Sequence, residues 1–453
     1  MTKLFRSNQF LSLAGNLAAS GLTVVSVSLL FRALPAQETG AWVFFLTLLG
    51  LGESFRQGFL TTAFIRAYAG ATPERRAEVL GSAWTLAWVI TVALVGLVLL
   101  SRLLPQAAAV GSSLGLFLTW FPLTFVLTLP AFVATCTQQA AQRFDRLLSL
   151  RLLMQVGFIS GVIGLLLLGH LTLQRVVYCY LSASALTSSV ALILGWCRLA
   201  DVRHRTAACV RELADFGKYS VGSYIGSYLL RSSDTFFITL MLGPAALAVY
   251  NLAQRFMEII EIPLRSVMAT AIPRLSAAYN QRDLPLLTRL LEQHAGLLTW
   301  ALVPVVLGTV LLAEVPVYLV GGGKYVGTEA ANVLRLAISM ALLFPLDRFA
   351  GVALDVLNRP RLNLIKVVLM LAVNVIGDWI GLRLCGNIYG AALASLPTIL
   401  VGFIFGYLML KRSLPITIGG ILRAGLAEGR TLLRRRLSRQ SVPATPTAEV
   451  VRA

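Results

Sequence analysis

An all-α polytopic membrane protein is the fold class that this sequence predicts, on three observations. First, 57% of its 453 residues are hydrophobic and only 13% are charged, about half the charged fraction of a soluble domain, which is near 25%. Second, apolar runs recur from Asn8 almost to Lys411, each of about 20 residues, enough to cross a hydrocarbon core of roughly 30 Å as a helix. Third, Lys and Arg cluster in every other gap between those runs, the pattern of loops retained on the cytoplasmic side. No stretch is left over for a separate soluble domain.

The elements follow in order. The run 8–31 comes after Lys3 and Arg6 but exceeds the roughly 7 to 15 residues of a signal-peptide core, so it is expected as a retained first span. Further spans are expected at 40–61, 80–100, 113–135, 151–169, 176–197, 217–242, 246–270, 293–313, 329–350, 362–382 and 388–410, about twelve transmembrane helices in all. An even number keeps the basic gaps on one side: Arg66, Arg75 and Arg76, then Arg143, Arg146 and Arg151, then Arg198 to Lys218, Arg274 to Arg289, Arg359 to Lys366, and everything from Lys411 onward. The sparse side carries only Arg32, Arg102, Arg175, Lys324 and Arg383. Both termini are therefore expected in the cytoplasm.

The outer loops are short, the longest lying around "VGGGKYVG" (Val320 to Gly327) and "SRLLPQAAAVGSS" (Ser101 to Ser113). They leave no room for an external catalytic domain, and no GxxxxGK[ST] phosphate loop occurs, so the chain is not expected to be an enzyme. Residues 413–453 are expected to form a basic cytoplasmic tail. Its stretch "IGGILRAGLAEGRTLLRRRLSRQ" (Ile418 to Gln440) reads as an interfacial amphipathic helix against anionic headgroups, and "SVPATPTAEVVRA" beyond it reads as disordered.

Five cysteines (Cys136, Cys179, Cys197, Cys209 and Cys385) form no CxxC pair, and His170, His204 and His294 stand apart from them and from one another. No metal site, haem or disulfide frame is expected, hence no cofactor. The net charge of +19 does not call for nucleic acid, because the basic residues are distributed as topology determinants.

An internal repeat organises the spans. "LPAQETGAW" (Leu34 to Trp42) and "LGPAALAVY" (Leu242 to Tyr250) sit at equivalent places, and the same offset pairs Glu53 with Glu261. The later loops "QRFDRLLSLR" (Gln142 to Arg151) and "LNRPRLNLIK" (Leu357 to Lys366) correspond in the same way. Two six-helix lobes, 1–205 and 206–412, are expected as parallel repeats around a central cavity, the layout of an alternating-access carrier.

Charges inside the spans point to that cavity. An Arg or Asp at mid-membrane costs about 2.5 to 3.5 kcal/mol on insertion scales, so such groups face a bundle interior or water. Glu53 and Arg56 lie in the second span, Arg231 and Asp234 in the seventh, Arg255, Glu258, Glu261 and Arg265 in the eighth, Arg335, Asp347 and Arg348 in the tenth, and Asp378 in the eleventh. The four charges of "AQRFMEIIEIPLR" recur at i, i+3, i+6 and i+10, one helical face. Pro263 among them removes a backbone donor and is expected to loosen that helix. Arg231 and Asp234, three apart, can pair along their own helix. The bland alternative is a set of internal ion pairs plus arginines that snorkel to an interface. Arginine, whose planar fork meets two phosphate oxygens at once, favours an anionic ligand. The substrate-binding candidates are Arg56, Arg231, Asp234, Arg255, Glu258, Glu261, Arg265 and Arg348.

The stretches "LPAQETGAWVFFLTLLGLGESFRQGF", "DFGKYSVGSYIGSYLLRSSDTFFITLMLGPAALAVYNLAQRF", "AIPRLSAAYNQRD" and "YLVGGGKYVGTEAANVLRLAI" resemble the polysaccharide-biosynthesis (Wzx-type) flippases of the multidrug/oligosaccharidyl-lipid/polysaccharide exporter superfamily. The resemblance spans about residues 4–412. It implies a flippase that moves an undecaprenyl-diphosphate-linked oligosaccharide from the inner to the outer leaflet of the bacterial cytoplasmic membrane, for surface polysaccharide, O-antigen or exopolysaccharide. Its partners would be that lipid-linked anionic oligosaccharide and membrane lipids, with a polysaccharide polymerase or ligase as a candidate neighbour. The alternative is an ion-coupled multidrug and toxin extrusion-type exporter, whose cationic substrates would favour a more acidic cavity.

Overall fold

The computed structural model describes residues 8–103 and 112–440. Lys3, Arg6, the centre of the Ser101 to Ser113 loop and the segment after Gln440 lie outside the described residues. Within them every regular element is a helix: α1 (Asn8–Ala33), α2 (Ala36–Tyr68), α3 (Pro73–Ser101), α4 (Ser112–Leu127), α5 (Leu129–Ala140), α6 (Phe144–Leu167), α7 (Leu173–Ile193), α8 (Ala207–Met241), α9 (Pro244–Asn280), α10 (Leu284–Leu311), α11 (Glu314–Gly321), α12 (Ala330–Met340), α13 (Phe344–Val356), α14 (Pro360–Cys385), α15 (Tyr389–Lys411) and α16 (Ile418–Gln440). Each of the twelve expected spans is occupied by helix, the fourth by α4 and α5 and the tenth by α12 and α13.

Local chemistry sets where these helices begin and break. Thr72, Thr172 and Thr206 cap α3, α7 and α8, each hydroxyl accepting from the backbone N–H three residues on. Pro130, in the first turn of α5, has no N–H to give, and the chain bends by 46° between α4 and α5. Pro345 likewise follows the short 3-10 turn Ala341–Leu343 that separates α12 from α13. α9 runs unbroken through both Pro263 and Pro273. The two turns matched from sequence adopt one geometry. Gln142 and Asn358 both sit in the left-handed region, at φ 54° and 57°. Behind them the amides of Arg143 and Arg359 reach back to the carbonyls of Gln138 (2.9 Å) and Leu354 (2.8 Å), which satisfies helix-end carbonyls.

Seven helical segments among the described residues, α12 and α13 counted together as one, are long and apolar enough to cross a membrane, and the bent pair α4 and α5 makes an eighth. Three others, α2, α8 and α9, are 33, 35 and 37 residues long and carry the acidic and basic groups that dilute their hydropathy. At 1.5 Å per residue each is longer than a hydrocarbon core of roughly 30 Å. Exposed Leu97, Leu100, Leu167, Ile193 and Leu384 fit lipid-facing surfaces, where apolar side chains need no protein cover.

The chain forms two compact units. One comprises the chain up to Ile259 with Leu312–Ala337 and Met370–Thr398, the other Ile260–Leu311, Ile338–Leu369 and the chain from Ile399 on. In the first, α2 and α8 meet along a seam that only small residues permit. A Cβ at Gly58 would meet Tyr224 and Val221, and one at Gly217 would fall 2.2 Å from the carbonyl oxygen of Phe59. The loop expected around Val320 contains α11 and a 3-10 turn, held to α1 by Ser28 donating to the Val320 carbonyl (3.1 Å) and Arg32 to that of Leu319 (2.7 Å). In the second unit Leu264, Leu275, Leu291, Leu298, Phe349, Leu354 and Leu410 form the core.

Candidate functional site

The intramembrane charges sort into four groups, three in or near the first unit's core helices and one in the second unit. The first group closes on itself. Arg56 is fully buried and pairs with Glu53 one turn earlier on α2. Its guanidinium also donates to the Phe125 carbonyl (3.2 Å) and the Thr128 hydroxyl (3.0 Å), and lies 4.3 Å and 4.6 Å from the ring centres of Phe125 and Phe132. Thr128 is the residue at the break between α4 and α5. Arg56 therefore supplies donors where the broken helix leaves acceptors, and in this structure it has no exposed surface.

The second group joins α8, α9 and α14. The Tyr250 hydroxyl donates to Asp234. The Asn374 amide nitrogen lies 3.3 Å from Asp234 Oδ1 and 3.3 Å from Asp378 Oδ2, and its carbonyl accepts from Ser233 at 2.9 Å. Asp378 is completely buried, and its Oδ1 has no hydrogen-bond partner among the described residues. Asp234 also accepts from the Ser233 hydroxyl at 3.4 Å, so the two carboxylates share the Asn374 amide while the hydroxyls of Tyr250 and Ser233 donate to Asp234. The cluster thus comprises two carboxylates, one carboxamide and the hydroxyls of Tyr250 and Ser233. No group of three or more His, Cys, Asp or Glu disposed to hold a metal occurs among the described residues.

The third group is cationic. Asp234 is engaged as above, and the expected Arg231 to Asp234 pair along α8 is not made. Asp234 bonds Tyr250 of α9 and Asn374 of α14 instead. Arg231 is exposed, with no hydrogen bond or ion pair among the described residues. Tyr228, on the same face of α8, is within electrostatic reach of both Arg231 and Arg255. Arg255 on α9 pairs with Glu258 at 3.0 Å and donates to Asn251 at 3.2 Å. Tyr228 itself is anchored, its hydroxyl donating to the Thr47 carbonyl at 2.7 Å over Gly50, where a Cβ would clash with it.

The fourth group belongs to the second unit. Glu261 pairs with Arg265 on its own helix and with Arg348 of α13 at 3.1 Å. Two guanidiniums on one carboxylate leave a positive charge, carried by side chains 62% and 47% exposed. Next to Arg348, Asp347 is taken by Lys366 of α14, at 2.7 Å and with both nearly buried.

The candidates thus divide: Arg231, Arg255 and Glu258 lie together, Glu261, Arg265 and Arg348 lie together, Asp234 belongs to the carboxylate cluster, and Arg56 is internal. Asn374, Tyr250 and Lys366 were not singled out in the sequence. A polar residue one turn from Asp378, at i−4, was the available signal for Asn374. Nothing in one dimension marked Tyr250 or Lys366.

A family model described as polysaccharide biosynthesis protein matches residues 29–329. The chain belongs to the polysaccharide biosynthesis protein family. It is 24% identical over 387 residues to the probable low-salt glycan biosynthesis flippase Agl15 of Haloferax volcanii, covering 84% of this chain and 78% of that protein. Its fold is similar to that of the lipid II flippase MurJ in an inward closed conformation, with a TM-score of 0.73 at 14% identity over 96% of this chain and 94% of that one. A multidrug resistance MATE family transporter of the MOP superfamily, inward-facing, is also similar, with a TM-score of 0.70 at 16% identity over 87% and 95% of the two chains. These likenesses are of fold, and with the apolar helices they make this family member a multi-pass α-helical membrane protein, as its hydropathy and charge pattern led one to expect.

Proposed function

We propose that the protein is a flippase for a lipid-linked oligosaccharide of glycan biosynthesis. It would carry an undecaprenyl-diphosphate-linked glycan from the inner to the outer leaflet of a bacterial cytoplasmic membrane, with both termini cytoplasmic and no catalytic step. Alternating access would come from two six-helix lobes, 1–205 and 206–412, and a polymerase or ligase would take over the product. What carries this reading is Arg231, an exposed guanidinium within a long membrane helix, with Arg255 close by and no carboxylate of its own. A cation in that position is costly unless an anion arrives, and a diphosphate offers the oxygen pairs that guanidinium groups bind best. Arg265 and Arg348, sharing Glu261, offer a second place of the same chemistry. The family membership and the flippase relative support the glycan-linked lipid over a cationic drug.

Purified protein in proteoliposomes, given a fluorescent oligosaccharide on a short polyprenyl diphosphate, tests the reading. Flipping is expected as a rise in the label protected from a membrane-impermeant quencher, and Arg231→Ala and Arg255→Ala should each slow it. Equal rates in protein-free vesicles, combined with uptake of organic cations by the protein, would replace this reading with a small-molecule exporter.

A further inference from the structure

Among the described residues α16 is the one helix beyond the span region, and it is not a loose tail. It docks on α10 at a glycine crossing: a Cβ on Gly425 would fall 2.1 Å from the carbonyl carbon of Gly296, and one on Gly296 would fall 2.0 Å from the Ile421 carbonyl oxygen. Trp300 on α10 donates its indole N–H to the Leu422 carbonyl at 3.0 Å. At the start of α16 the Thr417 hydroxyl accepts from the Gly420 amide (2.9 Å), and the Glu292 carboxylate accepts from the Thr417 amide (3.4 Å), placing a negative charge at the helix N-terminus. Ile421 is buried among Leu291, Ala295 and Leu298.

The opposite face is exposed and of another kind. Arg423, Leu426, Ala427 and Arg430 recur at i, i+3, i+4 and i+7 and all are exposed. The sequence of α16 holds Arg423, Arg430, Arg434, Arg435, Arg436 and Arg439 against the single acid Glu428. Leucine and alanine between two arginines suit a surface with apolar depth below anionic groups. A nucleic acid or an acidic protein would not reward the leucine.

We propose that α16 is a membrane-surface clasp: its basic, partly apolar face binds anionic phospholipid headgroups, and through the Gly296–Gly425 crossing the lipid charge holds α10. This rests on the multi-pass membrane fold and is independent of which substrate is moved. The test is hydrogen–deuterium exchange of the full chain in nanodiscs of neutral phosphatidylcholine and of phosphatidylcholine with phosphatidylglycerol. Amides of α16 and of α10 around Gly296 should exchange about tenfold more slowly in the anionic discs. The protection should be weakened by salt and lost in a variant with Arg423, Arg430, Arg434, Arg435, Arg436 and Arg439 all replaced by Gln. Gly425→Leu should keep lipid-dependent protection in α16 but remove it from α10. Equal exchange in both lipids would overturn the proposal. So would protection of α16 by an oligonucleotide or polyglutamate in neutral discs with none from phosphatidylglycerol.

Discussion

Asn374 donates its amide to Asp234 at 3.3 Å, tying α14 to α8 through a residue that also faces the buried carboxylate of Asp378. The Asp378 Oδ1 has no hydrogen-bond partner among the described residues, which leaves one buried carboxylate oxygen of the cluster unmatched. Movement of α14 relative to α8 would change the separation of the two carboxylates, because each sits on one of those helices.

Asp378→Asn is expected to lower transport by roughly tenfold or more, a change of about 1.4 kcal/mol in the limiting step, and to flatten its dependence on external pH or on sodium and potassium. Transport measured in proteoliposomes against pH and cation gradients checks this. An unchanged ion profile in both Asp378→Asn and Asp234→Asn would separate the cluster from coupling.

Arg56→Ala and Arg231→Ala should fail in different ways. Removing Arg56 strands Glu53 inside the first unit, a loss of about 3 to 5 kcal/mol by analogy with other broken buried pairs, and should lower the melting temperature in detergent. Arg231, exposed and unpaired, should leave the melt near that of the parent protein and slow flipping. Thermal unfolding and transport measured on the same preparations distinguish the two.

Lys366→Met should destabilise the second unit by about 3 to 5 kcal/mol, because Asp347 would stay buried without its cation. Replacing both, with Lys366→Met and Asp347→Leu together, should recover much of the loss, since an apolar pair needs no desolvation of charge. A double-mutant cycle by thermal unfolding reads the difference.

At the turn between α11 and α12, desolvation holds the Lys324 ammonium below its ordinary pKa, although it donates to the Leu34 carbonyl. The unfolded chain therefore binds this proton more readily than the folded one, and stability should rise as the pH climbs from the folded value past about 10.4. Lys324→Met should remove that rise, seen as a flatter curve of melting temperature against alkaline pH.

Bulk introduced at the α2 and α8 seam is a further check on packing. Gly217→Leu would drive a side chain into the Phe59 backbone, 2.2 Å from where its Cβ would sit. Because backbone cannot step aside as a side chain can, overpacking of this kind should cost about 1 to 3 kcal/mol or more. Cross-linking between cysteines placed on α2 and α8 should report the separation.

Helix, span order and membrane class were legible in the sequence because they depend on quantities that run along one chain: apolar length, spacing of positive charge, and turn residues such as Gln142 and Asn358. The bend at Thr128 was not anticipated: the span expected at 113–135 is broken by 46° before Pro130. The pairing of charges was not legible in the same way. Arg255 with Glu258 and Arg265 with Glu261 lie three and four residues apart, a spacing the sequence shows as one helical face without assigning the partners. Arg231 and Asp234 had the same spacing and parted, because Tyr250 and Asn374 arrive from other helices. Lys366 reaches Asp347 across nineteen residues, and Arg56 reaches Thr128 across seventy-two. By itself, then, the sequence determined a multi-helix membrane protein of a recognisable family, since burial in lipid demands long apolar helices whatever their neighbours. Only the tertiary structure decided which intramembrane charges are spent on internal partners and which stay available, because a buried charge takes its partner from whichever helix is adjacent in space.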